Sequence, residues 1–228
     1  MTDIIPHYFK SELFFQLIRS SELVLFYGYL YNWITNYNSQ QRNKSLFLFL
    51  IIAFNSYFNY YLKNNLSKPL FTLFNDYIPI LGQGSRPDGA VDCGYFTTCP
   101  NKQSTSFGFP SGHSQFSGLY SGFMIRDMLF DDNNVELILD DNKKVSIFVH
   151  IIYIFIMMYS RIYIQGCHTI GQAIFGALIG LVIGYFSNIL YKNFLKKIKK
   201  NKKLEYFINS KEMRLFVLFI SFIFMIFA

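Results

Sequence analysis

TIGQAIFGALIGLVIGYFSNILY, residues 169–191, is a run of 23 residues without one charged side chain. As a helix rising about 1.5 Å per residue it is long enough to cross a hydrocarbon core of roughly 30 Å. Outward from it, residues 145–164 (VSIFVHIIYIFIMMYSRIYI), 111–130 and 45–62 have the same character, and 22–35, 69–82 and 213–228 are shorter candidates. Charged residues make up 15% of the 228, while 52% are hydrophobic and 20% aromatic. A soluble domain carries about a quarter charged residues. The expected fold is all-α, a polytopic transmembrane helical bundle of six or seven crossings forming one membrane domain over 1–228. The N-terminus lacks a secretory pattern, since Asp3, Lys10 and Glu12 interrupt it, so the first crossing is expected to act as its own insertion signal.

Net charge is +7 and concentrated: residues 192–203 (KNFLKKIKKNKK) hold seven lysines. The run lies between two apolar segments and has no aromatic platform, which argues for a positive-inside loop touching anionic headgroups and against nucleic-acid binding. With that loop cytoplasmic, alternation through seven crossings makes 1–21, 63–68 and 131–144 cytoplasmic, and 36–44, 83–110 and 165–168 non-cytoplasmic. Only Arg42, Lys44, Arg86, Lys102 and Arg161 of the 21 lysines and arginines then fall on the far side. The weakest crossing is 69–82, which is short and contains Asn75 and Asp76. Cys93 and Cys99 share the long non-cytoplasmic loop, where an oxidising compartment permits them to pair.

Three polar clusters lie on that one face: GQGSRPDGA (82–90), PSGHS (110–114) and SRIYIQGCHTIGQ (160–172). They bring Arg86, Ser111, His113, Arg161 and His168 to one depth, where ionisable groups are costly and mark a site. Two arginines clamp phosphoryl oxygens with forked donors. Pro110, Ser111 and Gly112 read as a helix start, whose free N–H groups favour an anion. Two histidines on separate segments suit a nucleophile and a general acid.

RP at 86–87, PSGH at 110–113 and SR…H from 160 to 168 resemble, in order, the three motifs of the type 2 phosphatidic acid phosphatase and haloperoxidase superfamily. The resemblance spans 75–190. It implies that His168 attacks phosphorus to form a phosphohistidine, that His113 protonates the leaving oxygen, and that Arg86, Arg161, Ser111 and the Gly112 N–H bind phosphate, with no metal and no cofactor. HTIGQAIFGALIG (168–180) and FPSGHSQF (109–116) are similar to the dolichyl diphosphatase branch. That branch implies a polyprenyl diphosphate or lipid phosphate as substrate, in the endoplasmic reticulum or another internal membrane, with the site non-cytoplasmic.

The chain departs from the pattern in three places. The lysine expected seven positions before Arg86 is Pro79, and no lysine lies between Lys68 and Lys102. Six residues rather than five separate Arg161 from His168, so one residue must bulge. Gln172 stands where a carboxylate usually orients the nucleophile; four residues after His168, it shares a helix face with it in this reading and accepts the Nδ1 hydrogen. A catalytically degenerate binder of lipid phosphates is the alternative these losses support. Gly118 with Gly122, and Gly176, Gly180 and Gly184, read as close helix packing. Asp88 and Asp92 are expected to pair with Arg86, while Trp33, Tyr60 and Tyr61 suit interfacial anchoring.

Overall fold

The computed structural model describes residues 4–90, 103, 104, 106–130, 140–208 and 210–227. Expectations for Asp92, Cys93, Cys99, Lys102 and the acidic stretch 131–139 lie outside them. The chain is a helical bundle. Its elements are α1 (Ile4–Thr35), α2 (Ser39–Leu73), α3 (Gly112–Leu129), α4 (Asp141–Ile164), α5 (Ile170–Lys200), α6 (Lys202–Ile208) and α7 (Lys211–Phe227), with a two-stranded hairpin, β1 (Tyr77–Ile78) and β2 (Gly82–Gln83). Among the described residues, α2, α4 and α5 are long and apolar enough to cross a membrane.

The helix ends follow from local chemistry. Asn38 caps α2 by accepting from the N–H groups of Gln40 and Gln41, and Asp140 caps α4 through Lys143 N–H. At α5 the Thr169 hydroxyl and the Gln172 side chain form a reciprocal capping box. α3 is the central helix, with Phe116, Leu119 and Phe123 fully buried beside the equally buried polar residues Ser114, Gln115, Ser117 and Ser121. Lipid offers no hydrophobic drive between helices, so close approach and polar links must hold them. Both are present. Gly118 and Gly122 face the backbone of Ala177 and Leu181, while Gly176, Gly180 and Gly184 face that of Ser111, Gln115 and Leu119. Gln115 donates to Asn55 Oδ1 at 2.9 Å and accepts from Asn59 Nδ2 at 2.8 Å, tying α3 to α2.

Three expectations are corrected. Residues 69–82 are not a crossing: Lys68–Leu73 continues α2, and the rest folds back as the hairpin, with Tyr77 opposite Gln83 and Ile78 opposite Gly82. Removing that crossing reverses the alternation that depended on it. Lys44 Nζ lies 2.6 Å from Asp127, which also accepts from Lys192 at 3.2 Å, so residues 36–44 share an end with the lysine-rich segment. Trp33, expected at an interface, is fully buried in the core, whereas Tyr60 and Tyr61 are exposed.

The glycine contact generates a packing prediction. A side chain at Gly180 meets the Gln115 carbonyl and the Leu119 N–H, whereas a methyl at Gly28 meets nothing within 4 Å. Gly180→Leu should lower unfolding stability in detergent by about 1–3 kcal/mol, the usual overpacking cost. Gly28→Ala should leave thermal unfolding unchanged or raised.

Candidate active site

The end of the bundle opposite the lysine-rich segment collects all three sequence clusters. Phe109 N–H donates to Gly84 O at 2.9 Å, and Ser111 N–H to Gln172 O at 3.0 Å, so the segments carrying Arg86, His113 and His168 are stitched together by backbone bonds. Ser111 is the N-cap of α3 and fully buried; Gly112 and His113 form the first helical positions, with His113 buried. The helix start expected at 110–112 is therefore present. Gly112 passes close to Asn59, where an added Cβ would lie 3.0 Å from Oδ1.

Arg161 sits in a π-helical turn, Ser160–Ile164, that closes α4. This turn takes up the extra residue between Arg161 and His168, the usual way a helix absorbs a one-residue insertion at a functional site. Arg161 is 2% exposed, bonded through Nη1 to Gln165 Oε1, and its carbonyl accepts from Cys167 N–H at 3.1 Å. Arg86 reaches across to the same loop, with Nη1 3.1 Å from Cys167 O and its other donors on Ser106. Asp88 lines the same polar cavity as Arg86, about 360 Å³ in volume. Cys167 is disulfide-bonded.

His168 precedes α5 rather than lying on it, so the shared helix face expected for His168 and Gln172 is not the reason they meet. Gln172 is the third residue of the capping box, and that fold-back carries its Oε1 to 2.9 Å from His168 Nδ1. Its Nε2 faces the carbonyls of Gln83 at 3.0 Å, Gly84 at 3.4 Å and Ser85 at 2.5 Å. Only an NH₂ group can face three carbonyls, so Oε1 faces the ring and Nδ1 carries its hydrogen. Nε2 is then the nitrogen with a free lone pair. Gly108 makes room for this amide, since a Cβ there would lie 2.6 Å from Gln172 Nε2.

Sequence reasoning missed Lys63. It lies in a second π-helical turn, Leu62–Ser67, in the middle of continuous α2, and within the electrostatic field shared by Arg86, Arg161 and His168. The signal was hidden by the hairpin, whose residues read as a further crossing and made 63–68 read as a cytoplasmic loop. Glu22 on α1 was also missed: buried, bonded by Ser56 Oγ at 2.8 Å, and in the field of Arg161.

Burial, with Lys63, Arg161 and Arg86 adding to it, holds the His168 imidazole well below its usual pKa, opposed by the bond to Gln172. The ring is thus neutral near pH 7. A histidine buried neutral must charge on acidification, so its contribution to stability is present above its unfolded pKa and lost as pH falls below about 6.5. His168→Gln should flatten the acid side of the stability–pH curve between about pH 6.5 and 5, measured by thermal unfolding in detergent.

The family model for the PAP2 superfamily matches residues 44–196, a span that runs from the start of α2 to the lysine-rich end of α5 and encloses every residue above except Glu22. No curated protein and no solved structure matches the chain.

Proposed function

We propose, on the premise that this chain belongs to the PAP2 superfamily, that it is a metal-independent lipid phosphatase working through a phosphohistidine. The observation that carries the reading is the convergence of Lys63, Arg86 and Arg161 on a neutral His168 whose Nδ1 is engaged by Gln172. Two guanidinium groups and a lysine amine share one field, and a phosphoryl group among them supplies the matching negative charge. The N–H groups at the start of α3, with Ser111 and Gly112, add donors of the kind that hold oxyanions.

In this mechanism the His168 Nε2 lone pair attacks phosphorus and the bond to the leaving oxygen breaks. His113 gives that oxygen its proton. Water then attacks the phosphohistidine, passes a proton to His113, and returns His168 with inorganic phosphate. Gln172 sets the tautomer throughout.

The substrate's tail lies in the bilayer beside exposed apolar side chains such as Phe155, Ile170 and Ile174. A polyprenyl diphosphate or a phosphatidic-acid-like lipid phosphate fits this arrangement. The positive-inside tendency of the lysine-rich end supports a site on the non-cytoplasmic face, and the Cys167 disulfide supports an oxidising compartment such as the endoplasmic reticulum lumen. Lys63 removes the missing-lysine argument for a degenerate lipid-phosphate binder; Gln172, uncharged, is the feature that still favours it.

Phosphate release by the purified protein in EDTA, from polyprenyl diphosphate and from phosphatidic acid, tests the reading. Wild type should turn over, His168→Ala should not, and Lys63→Ala should lose about a hundredfold in kcat/KM, as when one preorganised electrostatic contact is removed. Undiminished turnover by folded His168→Ala would overturn the assignment.

A further inference from the structure

The hairpin that hides Lys63 from a sequence reading has a chemistry of its own. Three of its residues are non-glycine with positive φ: Asn75 at 52°, Asp76 at 65° and Ile80 at 77°. Asn and Asp tolerate that region, but a β-branched residue there is an outlier. Strain of this kind persists where surrounding contacts over-determine the backbone, and it clusters near functional sites. The contacts are present here. Asp76 N–H donates to Phe71 O at 2.8 Å, and Asp76 O accepts from Gly84 N–H at 3.0 Å.

The half-buried Asp76 carboxylate accepts from the Ser85 N–H at 2.8 Å and from the Ser85 hydroxyl. The carbonyls on either side of that N–H, Gly84 O and Ser85 O, are two of the three that receive the Gln172 amide. One peptide unit therefore stands between a carboxylate and the group that holds His168 Nδ1. From these contacts we propose that Asp76 is a positioning residue for His168, acting through Ser85 and the Gln172 side chain. The proposal deepens the phosphatase reading and rests on His168 being the nucleophile.

The physical argument is one of displaced charge. An amide at position 172 orients the ring but carries no charge to stabilise a cation forming on it. Asp76 restores a negative charge one relay further out. Its bond to Ser85 N–H polarises the peptide, strengthens Gly84 O as an acceptor, and so fixes which way the Gln172 amide points. The fields acting on the ring from the packed elements are Lys63 on α2, Arg86 after β2 and Arg161 on α4, all cationic. Asp76 opposes them.

Asp76→Asn separates charge from scaffold, because asparagine tolerates positive φ and still accepts from Ser85 N–H. Two readouts are needed on the detergent-solubilised full chain: the His168 ring titration by ¹⁵N NMR, and kcat and KM for lipid phosphate release. In Asp76→Asn, proton affinity of the ring should fall and kcat should drop roughly tenfold with KM unchanged, the size of one charge-assisted bond. Asp76→Ala should lose more, through the hairpin. An unchanged ring titration in folded Asp76→Asn overturns the proposal, even if stability or kcat declines, because Asp76 would then be scaffold alone. The ring titration needs no turnover, so absence of phosphate release by the wild type counts against the phosphatase reading and not against the relay.

Discussion

The side-chain amide of Gln172 holds together pieces of chain that are distant in sequence. Its oxygen fixes His168 and its nitrogen binds the backbone of Gln83, Gly84 and Ser85, while its own main-chain carbonyl accepts from Ser111. All three polar clusters thus meet at one residue that is fully buried. Few partners other than an amide fit this place. A carboxylate facing three carbonyls would be repelled, and an apolar side chain would leave those carbonyls without the donor that buried acceptors require.

Around that residue the site is cationic. Lys63, Arg86 and Arg161 act on one imidazole, and Arg161 is almost wholly enclosed. Charges so placed are costly, and their cost is offset by hydrogen bonds to Gln165, Cys167 and Ser106. Both π-helical turns deliver one of these cations, Lys63 from Leu62–Ser67 and Arg161 from Ser160–Ile164. Helix geometry has been locally widened where side chains must be aimed, and the glycine contacts between α3 and α5 give those aims a rigid base.

Much of this was legible in the sequence. The uncharged run at 169–191 announced α5, and the clusters at 86, 110–113 and 160–168, expected at one depth, do meet at one end of the bundle. The bulge demanded by the six-residue spacing appeared as a π-turn. What stayed hidden depended on tertiary geometry. Residues 69–82 have the composition of a short crossing, but Asn75 and Asp76 in left-handed conformations turn them into a hairpin. That single misreading moved Lys63 to the end opposite Arg86 and Arg161. The His168–Gln172 contact was anticipated for a helical reason, whereas a capping box produces it. Trp33 suited an interface by type alone; its burial is a fact of packing.

The central claim is that His168 becomes covalently phosphorylated. Rapid acid-free quenching of a single turnover with ³²P-labelled lipid phosphate, followed by peptide mapping, tests it directly. The account predicts label on His168 that forms and decays within the turnover and is absent from His168→Ala. Phosphate released without any labelled protein, or label on a residue other than His168, would contradict it.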